Sequence, residues 1–115
     1  MMLQEIIDKL DLTLLTEQKD FSTLIPSSGY ASDLLSCVMA GAKNKGLWIT
    51  LQAHVNIVAV AALLELSAVI ITQGTTPDEP TIAKANEQGV TLLLTSLSTY
   101  EVVGNLWEMG LRAVE

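Results

Sequence analysis

The only histidine, His54, stands between Gln52 and Asn56, and it is the one side chain in the sequence whose ordinary pKa lies near neutrality. An imidazole there could act as an acid or base, or donate a hydrogen bond to an anion. Catalysis asks for more: a third group that orients the base, and a nucleophile or bound substrate within its reach. No such companion is spaced near His54. Zinc takes three or four ligands, and the only soft companion is the single cysteine, Cys37. Cys37 falls beside an apolar stripe and reads as a small core residue. No catalytic residue, metal or cofactor is therefore expected. Asp78 and Glu79 are adjacent acids, but they precede Pro80 at a helix start, where the helix dipole favours negative charge. The chain has no GxxxxGK(S/T) phosphate loop, no GxGxxG fingerprint after a strand and no GxSxG elbow.

What is left is a set of small neutral hydrogen-bonding groups at the ends of apolar runs. They are Ser28, Gly29 and Tyr30, then Gln52, His54 and Asn56, then Thr72 and Gly74 with Gln73 between them, and finally Thr95 beside Ser96. In open α/β sheets, ligands bind beyond the carboxyl ends of the strands, close to helix N-termini whose free N–H groups favour anions. The same residues are also what turns and caps require. Asn56 reads equally as an N-cap, Ser28 and Ser96 as turn residues, and His54 as a cap or an intersubunit hydrogen bond.

The elements that must position these groups follow from periodicity. Leu3, Ile6, Ile7 and Leu10 lie on one face of a short helix. Leu12 to Thr16 reads as a strand, Glu17 to Asp20 as a loop, and Thr23 to Ser27 as an edge strand, since Pro26 is tolerated only there or at a strand end. Gly29 breaks the chain. Ser32 or Asp33 then caps a helix with Leu34, Leu35, Val38, Met39 and Ala42 on its apolar face. Leu47 to Leu51 is a strand. Asn56 to Leu66 is a helix with almost no polar side, so it is either central or covered on its outer side by another subunit, with Ala59, Ala61 and Ala62 allowing close approach. Ala68 to Thr72 is a strand. Asp78 caps a helix that ends at Gly89. Val90 to Leu94 is the last strand. Ser98 and Glu101 form a capping box for a final helix with Val102, Val103, Leu106 and Trp107 as its buried stripe, closed by Gly110. Strands alternating with helices give an α/β fold, a mostly parallel sheet flanked by helices. The strand order does not follow from the sequence.

Composition bounds the partners. Thirteen acidic residues against six Lys and Arg leave a net charge of −7 over 115 residues. That field repels nucleic acid and anionic lipid. The apolar run Val55 to Ile71 is broken by Asn56, Glu65 and Ser67, and is shorter than the roughly 20 residues of a membrane-spanning helix. No repeat or linker divides the chain, so residues 1–115 read as one domain. The single cysteine and the absence of a basic, apolar N-terminal leader point to the cytoplasm.

Four stretches carry a resemblance: Gly29-Tyr30-Ala31-Ser32-Asp33-Leu34-Leu35-Ser36, Trp48-Ile49-Thr50, Asn56-Ile57-Val58-Ala59-Val60-Ala61 and Ile70-Ile71-Thr72-Gln73-Gly74. Together they resemble the DRTGG domain family, in particular its small stand-alone members related to HPr kinase. The resemblance implies a fold similar to the HPr kinase N-terminal domain, usually dimeric, and a regulatory role like that of DRTGG modules found beside CBS domains in some pyrophosphatases. The chain departs from the family's pattern: the Asp-Arg pair falls at about Ala53-His54, and Thr-Gly-Gly becomes Thr72-Gln73-Gly74. Nothing here matches the phosphate-binding kinase domain.

The expectation is a non-catalytic regulatory or ligand-sensing module acting as a homodimer and binding a small anionic metabolite or nucleotide. One alternative is a docking scaffold for a protein partner without a ligand. The other is a small enzyme using His54 as acid or base.

Overall fold

The computed structural model describes residues 1–113 as five helices and five strands. They are α1 (Leu3–Leu10), β1 (Thr13–Leu14), β2 (Gly29–Ala31), α2 (Leu35–Gly41), β3 (Leu47–Thr50), α3 (Asn56–Leu63), β4 (Ala68–Ile71), α4 (Glu79–Gln88), β5 (Leu92–Leu94) and α5 (Thr99–Met109). The strands form one sheet in the order β1-β5-β4-β3-β2. β2 to β5 are parallel, and β1 runs antiparallel to β5 with Thr13 opposite Leu94.

From β2 to β5 the chain steps steadily in one direction across the sheet. Three right-handed crossovers in one direction put their helices on a single face, so α2, α3 and α4 cover one side and α1 and α5 the other. The two cores follow from strand alternation. Leu47, Ile49, Ala68, Ile70 and Leu93 point toward α1 and α5, where they meet Leu3, Ile6, Val102 and Leu106. Trp48, Val69, Ile71 and Leu92 point toward α2, α3 and α4, where they meet Val38, Ile57, Val58, Ala61 and Ala85. Every residue of β3 and β4 is buried, which is why these strands read as continuous apolar runs rather than alternating ones.

Several local expectations hold at atomic detail. Asp78 accepts from the Thr81 backbone N–H at 3.0 Å at the start of α4, and Gly89 ends that helix at φ 72°. The Ser98 hydroxyl accepts from the Glu101 N–H at 3.2 Å and donates to the Glu101 carboxylate at 3.1 Å, so Ser98 caps α5 as expected, without the carboxylate-to-backbone bond that would complete the capping box. Gly110 closes α5 at φ 105°.

Other expectations are corrected. Thr23 to Ser27 is not a strand. Ser27 instead donates to Lys45 and Asn44 carbonyls in the turn before β3, and the pairing strand comes later, at Gly29–Ala31. The chain must travel from β1 at one edge of the sheet to β2 at the other, and residues 17 to 28 make that crossing, tied to α1 by Leu3 N–H to Leu24 O and Gln4 N–H to Phe21 O. Neither Ser32 nor Asp33 is the helix cap of α2. That position is Leu34, whose N–H donates to the Ser32 hydroxyl, while Asp33 reaches across to β3. Cys37 is exposed, not a core residue. Of the expected α2 stripe only Val38 and Ala42 are buried, and in a helix the residue before Val38 is turned about 100° from it. α3 ends at Leu63 rather than Leu66, because Glu65 adopts a left-handed φ of 51°. Only Val102 and Leu106 of the α5 stripe are buried, and Val103 and Trp107 face outward. Among the described residues no helix is long and apolar enough to cross a membrane.

Candidate functional site

The carboxyl ends of β3 and β4 gather most of the polar groups singled out in the sequence. Asp33, just past β2, organises the end of β3. Its carboxylate accepts from the Thr50 hydroxyl at 2.8 Å and from the Leu51 N–H at 2.9 Å, and its carbonyl accepts from the Gln52 side-chain amide at 3.2 Å. The Gln52 N–H donates back to the Thr50 hydroxyl at 3.0 Å. Thr72, fully buried at the end of β4, donates from its N–H to the Thr50 carbonyl at 2.9 Å, and its hydroxyl lies 2.7 Å from that of Thr99 at the start of α5. Three strand ends and one helix start are thereby tied into a single hydrogen-bonded rim.

Beyond β4 the chain turns through two successive left-handed residues, Gln73 at φ 59° and Gly74 at φ 67°. The turn is pinned by Gln73 N–H to Leu97 O at 2.8 Å and Gly74 N–H to Thr95 O at 2.9 Å. Gly74, Thr95 and Ser96 border a recess of about 520 Å³ shared with Leu10, Asp11 and Thr13.

His54 sits on the outer side of this rim, exposed. Its Nδ1 accepts from the Asn56 N–H at 3.2 Å, so the imidazole serves the first turn of α3, a helix with no capping side-chain hydrogen bond at its N-cap residue Val55. Asn56 begins that helix rather than capping it. Asp78 is the acid close enough to feel His54. Its carboxyl is held below the usual range chiefly by the hydrogen bonds from Thr81, with a smaller contribution from the imidazole. Asp78 is already engaged as the α4 cap, so it does not orient His54 as a general base. Among the described residues no three His, Cys, Asp or Glu side chains gather to hold a metal ion.

Ser28, Gly29 and Tyr30 do not belong to the rim. Ser28 is buried at the amino end of β2, where its carbonyl receives the Leu47 N–H, and Gly29 and Tyr30 are residues of the strand itself. The sequence put them at a strand end because it placed the strand six residues early. The Tyr30 ring packs against Gly41, where even a Cβ would clash with it.

Gly29 and the Tyr30 backbone line a different feature, a mostly apolar groove of about 300 Å³ between β2 and α5, bordered by Ile49, Val103, Leu106 and Leu111. Trp107 forms one wall, with the Arg112 guanidinium 4.1 Å from its ring centroid. Sequence reasoning missed Asp33 as the clasp of the rim, and missed Trp107 and Arg112 as surface groups. Asp33 lies 17 residues before Thr50, a separation at which no local pattern signals contact.

A profile of the DRTGG domain family matches residues 5–109. Comparison with curated proteins finds no match. Among solved structures, the chain is similar to the CBS and DRTGG domains of the regulatory region of Clostridium perfringens pyrophosphatase, which was crystallised with its activator diadenosine tetraphosphate. The TM-score is 0.73 and the identity 18%, over 90% of this chain and 44% of that one. The chain thus spans less than half of the regulatory region it resembles, and the likeness is one of fold.

Proposed function

The chain belongs to the DRTGG domain family, and on that premise we propose that it is a non-catalytic regulatory module that senses a small anionic metabolite or nucleotide and works as a homodimer in the cytoplasm. The observation that carries the reading is the rim at the carboxyl ends of β3 and β4. It presents the Gln52 side-chain amide and the exposed His54 imidazole, while the Asn56, Ile57 and Val58 N–H groups at the start of α3 are already bonded within the chain, and no nucleophile is paired to an oriented base. Side-chain donors of that kind suit an anion that is bound and released unchanged. The pyrophosphatase regulatory region that shares the fold binds a dinucleotide activator, and this supports a phosphorylated ligand here. Gln52, His54, Asn56, Thr72, Gly74 and Thr95 are the residues we assign to binding. Ser28, Gly29 and Tyr30 lie outside that rim.

The direct experiment is calorimetric titration with AMP, ATP, diadenosine tetraphosphate and inorganic phosphate, alongside native mass spectrometry of the protein as purified. Binding that weakens at least tenfold in Gln52→Ala and His54→Ala, with the fold intact, bears the reading out. No heat with any of the four probes, and no bound mass, defeats the anion sensor and leaves a docking scaffold. Turnover of any of these nucleotides that disappears in His54→Ala would make the chain an enzyme instead.

A further inference from the structure

We infer that the outward face of α5 is the surface on which two copies of this chain pair, with the two α5 helices parallel across a two-fold axis. The inference rests on the homodimer proposed above and names its interface.

Three observations carry it. The first is an apolar stripe that the monomer leaves uncovered. At about 100° per residue, Tyr100, Gly104 and Trp107 fall in one narrow sector of α5, with Val103 at its edge, roughly opposite the buried Val102 and Leu106. Tyr100 is 90% exposed, Trp107 54% and Val103 37%. Aromatic side chains of about 150–250 Å² each are costly to leave in water, and the stripe is continuous with the groove beside β2.

The second is Gly104 itself. It sits in the middle of an 11-residue helix, and a Cβ there would meet nothing within 4 Å. Glycine weakens a helix interior relative to alanine, so among the described residues of one copy nothing calls for it. A second backbone crossing closely at that point does.

The third is the charge on either side of the stripe, which selects both the occupant and its orientation. Toward α1 the helix carries Glu101, Asn105 and Glu108, with Glu108 bordering a recess that also contains Lys9 and Asp11. Toward β2 lies Arg112, stacked on Trp107, and among the described residues it pairs with no carboxylate. An axis parallel to α5 exchanges the two sides, so Glu108 of each copy meets Arg112 of the other. An axis perpendicular to α5 keeps acid beside acid and would set Glu101 against Glu108. The parallel pair is therefore the electrostatically complementary one, with Trp107 against Trp107 and Gly104 against Gly104. The stripe supplies less than the roughly 800 Å² per partner of a standard interface, so the dimer forms and dissociates with concentration rather than being permanent.

Sedimentation equilibrium on the full chain tests this, with circular dichroism confirming that each variant is folded. Wild-type protein should be a concentration-dependent dimer, and Trp107→Lys should weaken it at least tenfold. Glu108→Arg and Arg112→Glu should each weaken it, and the double variant should recover most of the loss. If the wild type stays monomeric at high concentration, the homodimer reading itself fails. If the wild type dimerises but Trp107→Lys dimerises equally well, the homodimer stands and the α5 face is wrong, with Leu63 on α3 the next position to charge. If Glu108→Arg tightens the dimer, the parallel orientation is overturned.

Discussion

The two tryptophans of this chain occupy opposite kinds of place. Trp48 is wholly buried in the centre of β3, packs among α2, α3 and α4, and donates its indole N–H to the Ser32 carbonyl at 2.8 Å. Trp107 lies on the outside of α5, 54% exposed, and touches its own chain mainly through Arg112 and the rim of a groove. The same side chain is thus used once to hold a core and once to present a surface. The face of the sheet under α2, α3 and α4 is closed, while the corner between α5 and β2 is left open. Stability should reside in the first region and the recognition of a second copy in the second.

The largest expected effects break that comparison if they fail. Trp48→Ala should cost about 3–5 kcal/mol, and Ile70→Ala or Leu93→Ala about 2–5 kcal/mol, in urea unfolding, since all three are fully buried. Trp107→Ala should cost the monomer only about 1 kcal/mol, through the half-covered ring and its stacking with Arg112. Comparable losses at the two tryptophans would mean that the α5 face is structural after all.

A pair of glycines sharpens the contrast. Gly41→Ala forces a Cβ into the Tyr30 ring, and overpacking of this kind costs about 1–3 kcal/mol. Gly104→Ala meets open space and should stabilise an isolated chain by about 0.5–1 kcal/mol, read as a rise in the unfolding midpoint at low protein concentration. At concentrations where copies associate, the same change should reduce dimerisation.

Smaller effects belong to the caps. Ser98→Ala removes the hydroxyl that receives the Glu101 N–H and should cost about 1 kcal/mol. Asp78 contributes a pH dependence. Its folded-state pKa is lowered from 3.8 by the Thr81 hydrogen bonds, so its stabilising effect is complete above that value and is lost as pH falls below it and the folded carboxylate takes up a proton. Acid unfolding of Asp78→Ala should show a flatter dependence below pH 3.8 than the wild type. An identical acid limb would mean that the cap does not titrate as a stabilising group.

Much of the rim was legible in the sequence because its parts are local. The ends of β3, β4 and β5 are marked by the change from apolar runs to Gln52, Thr72 and Thr95, so the residues beyond them could be named. The clasp by Asp33 was not legible, since Asp33 carries the same signal as a helix cap and its partners lie on another strand. The groove was hidden for a related reason. Val103 and Trp107 repeat at i and i+4 as core residues do, and periodicity finds an apolar side without saying whether the chain itself covers it.

The sequence alone determined the elements whose causes lie within a few residues. These are the apolar runs of β3, β4 and β5, the caps at Asp78 and Ser98, the left-handed stops at Gly89 and Gly110, and membership of an α/β class. Tertiary structure alone decided the strand order, the late position of β2, the outward turn of Cys37 and the open face of α5. A cap or a buried run is settled by bonds the segment makes with itself or by its overall hydropathy. Which apolar sides are covered depends on how many elements pack on each face. Here three crossover helices share one face, and α1 and α5 are left to cover the other.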